Sequence, residues 1–507
     1  MIRDENWDVI VVGGGGAGLA AAIEARSLGR KVVLLEKNPE LGGSTWWSIG
    51  SITATNTPHQ IRKSIKDSPE DHYADMPKFA PELAERDNDP LRRRLCNEMP
   101  ETFNWLLDKG VRFFGPMPEP PHRKPRMHNV MPNATAYIYH LGRHARKIEV
   151  EIRCRAKVEE ILCEADEATG VEVEVDGARH RLLATGGVVL AAGDFTASSE
   201  LKAEFISEAA SQVEAVNPTA TGDGQTMARK LGAEVLNGDL ALGPEIRFVA
   251  PARDTLARRL PPWKLLAEFM AWSMDHMPSW LLRPFVMEFV TTALAPSLTL
   301  FDEGAILINK AGERFVDERS QPALAIAAQA DKVAYIVIDS VLAETFSAWP
   351  HYISTAPSIA YAYLPDYRRN RKDVYAEAAD LDDLGGKLGM PRGALSASVE
   401  RRNAELADTD TRNNRPAPRP LATPPFIALG PVRAVFVHNE GGLRISDDLE
   451  VVGADGEPIH GLYAAGSTGQ GGLLLKGHGH HLAWAFTSGR LAGRNAAFRA
   501  VSEDLPG

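Results

Sequence analysis

At 507 residues the chain is too long for one ordinary hydrophobic core, so two or more lobes are expected. An apolar fraction of 44% and a charged fraction of 24% are those of a globular protein in water, and a net charge of −11 argues against a nucleic-acid surface. Cys96, Cys154 and Cys163 form no CxxC or metal-ligand spacing, which fits a reducing compartment, inert thiols and no metal site.

The N-terminus carries Arg3, Asp4 and Glu5 and then enters an apolar run directly, so no signal peptide is expected. No clean stretch of about twenty apolar residues follows, and the default location is the cytoplasm. Asp8 to Val12 (DVIVV) reads as a buried parallel strand. Gly13, Gly15 and Gly18 then supply G-x-G-x-x-G at the start of an alanine-rich helical pattern. The next strand, Lys31 to Leu35, ends on Glu36, 18 residues after Gly18. Strand, glycine turn, helix, strand and acid make up the dinucleotide fingerprint in its proper context. Gly13 permits the tight turn, Gly15 lets the backbone approach a pyrophosphate, and Gly18 lets the helix lie close to the sheet. The helix start at Gly16 and Ala17 points N–H groups at the phosphates, and Glu36, followed by Lys37, is placed to hold a ribose hydroxyl.

Gly42-Gly43-Ser44-Thr45 follows, then Trp46-Trp47-Ser48. With the motifs below, this run resembles the FAD-dependent fumarate reductase and 3-ketosteroid dehydrogenase superfamily. The resemblance implies an α/β fold: a Rossmann-like FAD-binding domain (1–238 and 438–507) with an inserted α+β capping domain (239–437). It also implies that the Gly42 to Thr45 loop wraps the FAD pyrophosphate. In membrane succinate dehydrogenase flavoproteins a histidine in this loop attaches FAD covalently. Here the loop holds no histidine, so noncovalent FAD is expected.

Residues 57 to 125 read as helices and loops ending in a proline-rich turn, GPMPEPPHRKP. Ile148 to Ile161 reads as a strand pair, in which Lys157 and Val158 are expected FAD contacts by resemblance. Gly187 to Gly193 (GVVLAAG) is a second buried strand whose Ala192 and Gly193 resemble the family's close approach to the adenosine half of FAD. Thr221-Gly222-Asp223-Gly224 with Met227-Ala228 and Gly232-Ala233 resembles the family's GDG helix beside the flavin, with Asp223 as a contact. A plain turn and helix cap is the other reading.

From about 239 the character changes. The stretch from Pro261 to Phe301 carries Trp263, Trp272 and Trp280 among scattered charges. It suits a greasy lid, a channel wall or a helix lying on a membrane, or equally a core helix pair. Gly304 to Glu318 resembles a strand, turn and strand entering the active site, and Asp380 to Glu405 reads as two helices broken at Pro-Arg-Gly. Near the end, Glu440-Gly441-Gly442-Leu443, Ile459 to Gly466 and Gly489 to Gly493 resemble the family's closing motifs. The resemblance places Gly466 at the end of a last strand, and a helix from about Leu482, with His481 before it, aimed at the flavin. No second G-x-G-x-x-G follows a strand, so an external electron acceptor or donor, a quinone or a redox protein, is expected.

The chemistry is where this chain departs from the resemblance. Soluble fumarate reductases hold the substrate carboxylates with two histidines and two arginines. Position by position, His438 in VHNEGG matches, while the other positions fall near Gly243, at Pro322 and at Lys476. A dicarboxylate needs charge-assisted contacts, so fumarate is not the expected substrate. The C-terminal tyrosine of the ketosteroid dehydrogenases falls at about Leu475 and is also missing. A cluster of Lys476, His478, His480 and His481 remains beside His438. Histidine titrates near neutral pH, and His438, His478 and Lys476 are the candidate catalytic residues, with backbone and pyrophosphate packing as the rival role for the histidines. Tyr361, Tyr363 and Tyr367 are weaker candidates, read as half-buried packing. The leading expectation is α,β-dehydrogenation of a small hydrophobic ketone with hydride transfer to flavin. The alternatives are the reverse reaction on an enoate or enone, and a flavin electron-transfer subunit that needs a partner.

Overall fold

The computed structural model describes residues 4–165, 167–251, 259–356, 360–408 and 418–503. Two buried cores organise it. The first is built on parallel strands in the order Pro458–Ala464, Val188–Leu190, Val9–Val12, Val32–Glu36, Glu151–Cys154. Val9–Val12 is buried on both faces, which explains its unbroken β-branched sequence. One face is covered by the helix Gly16–Ser27, which packs along the last helix, His480–Glu503. The contact is close because glycines meet backbone: a Cβ on Gly489 or Gly493 would lie 2.3 or 2.2 Å from the carbonyl oxygens of Ala17 and Ala21. An antiparallel unit of Ala156–Glu164, Glu167–Val175 and Ala178–Ala184 extends the sheet, and Asp4–Trp7 pairs with it as an extra strand that the sequence pattern does not signal.

The second core belongs to the cap. Its central strand Phe426–Phe436 pairs with Ala334–Ile338, Glu245–Phe248 and Tyr375–Ala378, and Ile306–Ile308 completes one edge. From the stretch before 239, the short strand Glu214–Ala215 pairs with the same central strand, and Ala210 and Val213 join the cap core. The expected helical pair is Leu381–Lys387 and Ala394–Asp408, broken at Pro391 to Gly393.

Two expectations need correction. The segment 57 to 125 is not only helix and loop: Arg112–Met117 is a strand, joined antiparallel to Met127–Met131 and through it to Ser51–Thr53. Its Gly-Pro content hid the pattern. In Gly304 to Glu318 only Ile306–Ile308 is a strand; the return is a single bridge from Ile308 to Arg314, because Glu318 turns inward to accept the Leu307 N–H.

Candidate active site

The glycine motif forms the floor of a cleft. Gly13, with φ at +110°, carries the turn, and a Cβ on Gly18 would lie 1.9 Å from the Gly13 carbonyl oxygen. Gly18 therefore acts from behind the cleft, by letting helix and strand touch. Gly13, Gly15, Gly16, Ala17, Glu36, Lys37, Gly43, Ser44, Thr45, Lys157, Val158, Ala192, Gly193, Asp223 and Gly466 line the cleft; Gly42, His481 and Leu482 do not. Gly42 supports it from the side, donating its N–H to the Gly14 carbonyl at 3.1 Å. The Glu36 carboxylate accepts the Gly14 N–H (2.7 Å) and both the N–H and side-chain amide of Asn38 (2.8 Å each), which fixes it at the end of its strand. Thr45 Oγ1 accepts the Gly16 N–H at 3.1 Å, tying the second loop to the helix start. Lys37 reaches across to Asp223 at 2.8 Å and Thr221, so the GDG turn closes the same cleft. A trough with a floor of glycine and alanine, a helix start at one end and an acid at the other fits an extended dinucleotide.

The sequence matches the FAD binding domain family over residues 8–245 and 284–474. The chain belongs to that family. It is 28% identical to the NADH:fumarate oxidoreductase of Klebsiella pneumoniae (strain 342), over 98% of this chain and 48% of that one. The chain thus spans about half the length of this curated relative. It is 26% identical to the digoxin reductase of Eggerthella lenta, over 97% of this chain and 88% of the other. The open conformation of a flavocytochrome c3 fumarate reductase superposes with a TM-score of 0.71 at 23% identity, covering 98% of this chain and 79% of that one, and shows the shared fold. The FAD-binding fold expected from the sequence is therefore present, FAD is the cofactor, and the chain is an FAD-dependent oxidoreductase.

Beside the cleft lies a second, side-chain-built site. His438–Asn439 pairs with Ala241–Leu242, and Gly442–Leu443 with Val235–Leu236, so two short ladders hold the intervening Glu440 between cap and FAD domain. Glu440 is fully buried, with Lys476 Nζ 3.2 Å and His481 Nε2 3.7 Å from its Oε1. Its Oε2 accepts from the Gln470 side chain and from the Leu475 N–H at 3.2 Å. Burial alone would raise the Glu440 carboxyl, but His481, His438 and Lys476 outweigh it and hold it well below the usual carboxylate range. His438 packs ring to ring on His481, centroids 3.8 Å apart. Burial, with His481 second, pushes His438 well below the ordinary histidine value, so it is neutral at pH 7.

His478 points elsewhere. Its Nδ1 lies 2.5 Å from Glu119, and this hydrogen bond raises its pKa against the effect of burial; Glu245 and Arg247, paired at 2.7 Å, act on it from the cap. The Lys476 to His481 turn depends on its glycines. Gly479 sits at φ +88°, where a Cβ would be 2.6 Å from the Thr53 nitrogen. His480, outside the candidate list, is buried and anchors the turn. Its Nδ1 donates to the Lys476 carbonyl at 2.6 Å, which leaves Nε2 to accept from His72 Nε2 at 3.1 Å. His122 lies within the same group and accepts at Nδ1 from Arg126, 2.9 Å away. Burial lowers all three, His480 to about 4 and His122 to about 2. A neutral hydrogen-bonded stack beside the Arg126 guanidinium opposes a metal cation; it is a support for the loop.

Sequence reasoning missed one member of this site. Glu440 carried no role in its motif, and His481, read both within the histidine cluster and as a cofactor contact, lies against His438 and Glu440. Their shared signal is H-x-E with a second histidine run forty residues later, which carries no fixed spacing. Tyr367 is fully buried and bonds Ser354 at 2.8 Å in the cap core.

Proposed function

We propose that the protein transfers hydrogen across a carbon–carbon bond next to a neutral carbonyl, working as a reductase of the conjugated double bond. The observation that carries this reading is the pairing of charge around His438. Lys476 faces Glu440, His478 faces Glu119 and Arg247 faces Glu245. Lys476 shares Glu440 with His481, and every one of these groups faces a carboxylate, so a dicarboxylate would meet no unpaired positive clamp. A neutral ketone, ester or amide needs only hydrogen-bond donors. The full-length similarity to a digoxin reductase supports the reducing direction.

FAD, when bound, supplies the hydride exchange with a substrate carbon. The chain supplies the rest. Neutral His438 keeps one ring N–H for the carbonyl oxygen, stabilising the negative charge that develops there. Glu440 fixes His481 and Lys476 on one carboxylate, as an acid orients an imidazole in other proton-transfer sites. Glu440 stays ionised between Lys476 and His481, and His481, set against it at 3.7 Å, hands a proton to the α carbon while Lys476 holds the carboxylate in place. Electrons come from an external donor, a quinone or a small redox protein.

The reverse reaction, dehydrogenation of a hydrophobic ketone, is the second reading, since the same compensated charge cluster serves both directions. Steady-state assays with a reduced viologen as donor separate them. Turnover of a cyclic enone with little turnover of fumarate supports the proposal. Fumarate turnover above that of every neutral enone overturns it, and bleaching of oxidised protein by a saturated ketone alone moves the reading to a dehydrogenase.

A further inference from the structure

The cap helix Lys264–His276 is amphipathic in the wrong sense for a helix on a protein core. Its buried positions are small, Ala267 and Ser273, while Leu265, Phe269, Trp272 and His276 form an outward stripe at i, i+4, i+7 and i+11. Leu265 is 80% exposed, Phe269 58% and Trp272 51%. The rings along the stripe stack on one another, Phe269 on Trp272 at 6.1 Å and Trp272 on His276 at 5.0 Å. The surface is thus flat, continuous and apolar, and the next helix, Ser279–Ala293, adds Trp280 at 73% exposure. No helix among the described residues is long and apolar enough to cross a membrane.

The charge beside this stripe selects its occupant. The acids of the helix are answered from the body of the protein: Asp275 by Lys63 at 3.0 Å and Glu268 by Arg112 at 2.8 Å. These pairs bring the half-buried helix Pro58–Arg62 and its following turn alongside, adding the exposed Arg62 and Lys66, and Lys264 stands at the helix start. A basic flank on a chain of net charge −11 is a local inversion of sign. Tryptophan-bearing apolar stripes with basic flanks are the arrangement that settles into the headgroup region of a bilayer.

We propose that the Leu265–Phe269–Trp272 stripe docks the protein on an anionic lipid surface, with Arg62, Lys66 and Lys264 against the headgroups. This does not rest on the proposed reaction. It is tested with the FAD-loaded full chain by co-sedimentation with vesicles of phosphatidylcholine containing 30% phosphatidylglycerol and with pure phosphatidylcholine vesicles. The expected result is at least tenfold tighter binding to the anionic vesicles, a blue shift of tryptophan emission, and weakening in 0.5 M salt. Phe269→Glu with Trp272→Glu abolishes binding and keeps the flavin spectrum. Arg62→Glu with Lys66→Glu, outside the stripe, removes the preference for anionic lipid, and serves if the first pair loses flavin. Absence of binding to either vesicle overturns the proposal. So does binding unchanged in both variants, or a concentration-dependent dimer that Phe269→Glu with Trp272→Glu dissolves, which would make the stripe a contact between two copies.

Discussion

The cofactor cleft and the charged cluster around Glu440 are made in opposite ways. The cleft depends on side chains that are missing: Gly13, Gly18 and Gly43 let backbone approach backbone, and its shape follows from one short segment and the strands beside it. The cluster depends on side chains that are present and mutually compensating, drawn from positions 438–440 and 476–481, with the His478–Glu119 and Arg247–Glu245 pairs outside it. A cavity of absence accepts a cofactor by shape. A cluster of paired charges accepts a substrate by what charge it leaves uncompensated.

That contrast can be broken at either end, and the effects should fall in order. Gly18→Val is the most severe, since its Cβ must enter the space of the Gly13 carbonyl 1.9 Å away. The purified variant is expected to be colourless, read as the ratio of flavin to protein absorbance. Glu440→Gln should leave the flavin spectrum intact and lower turnover about 10²- to 10³-fold, the scale of losing a positioned proton-transfer partner. Loss of flavin in Glu440→Gln would merge the two regions into one.

His438→Ala is expected to cost about 10²-fold in turnover, and His478→Ala less than tenfold, because His478 is half exposed and bonded to Glu119 instead of the Glu440 cluster. His478 offers a pH test as well. Its pKa is raised in the folded state by Glu119, so the native protein binds the proton more tightly than the unfolded chain. The resulting stability is fully present below the ordinary histidine value of about 6.5 and is lost as pH rises through the raised folded value. The melting-temperature gap between wild type and His478→Gln should therefore shrink from pH 6 toward pH 9. The smallest effect belongs to Lys37→Ala: its pair with Asp223 is partly exposed, so a stability change under about 1 kcal/mol and FAD binding weakened a few-fold are expected.

The same contrast explains what could be read from the chain. Gly13 to Gly18, Glu36 and the Gly42 to Thr45 loop are local, and their spacing already encodes the turn, helix and acid that the structure builds. His438 was legible through the glycines that follow it. Glu440, two residues on, was not, because its meaning depends on Lys476 and His481, which reach it only after the last helix has packed along Gly16–Ser27. The strands Arg112–Met117 and Met127–Met131 were hidden by a proline-rich stretch, and with them the buried Arg126, His72 and His122 that hold the His480 turn. The outward stripe of Lys264–His276 had the reverse problem: its periodicity was visible, but periodicity alone does not say which side faces the solvent.

The central claim is that compensated charge around His438 selects a neutral carbonyl. The most direct test is anaerobic stopped-flow reoxidation of the dithionite-reduced FAD-loaded protein, mixed in parallel with 2-cyclohexenone and with fumarate. Recovery of oxidised flavin absorbance is expected with the enone, and at least a hundredfold slower recovery with fumarate. Fast reoxidation by fumarate, with the enone inert, would contradict it.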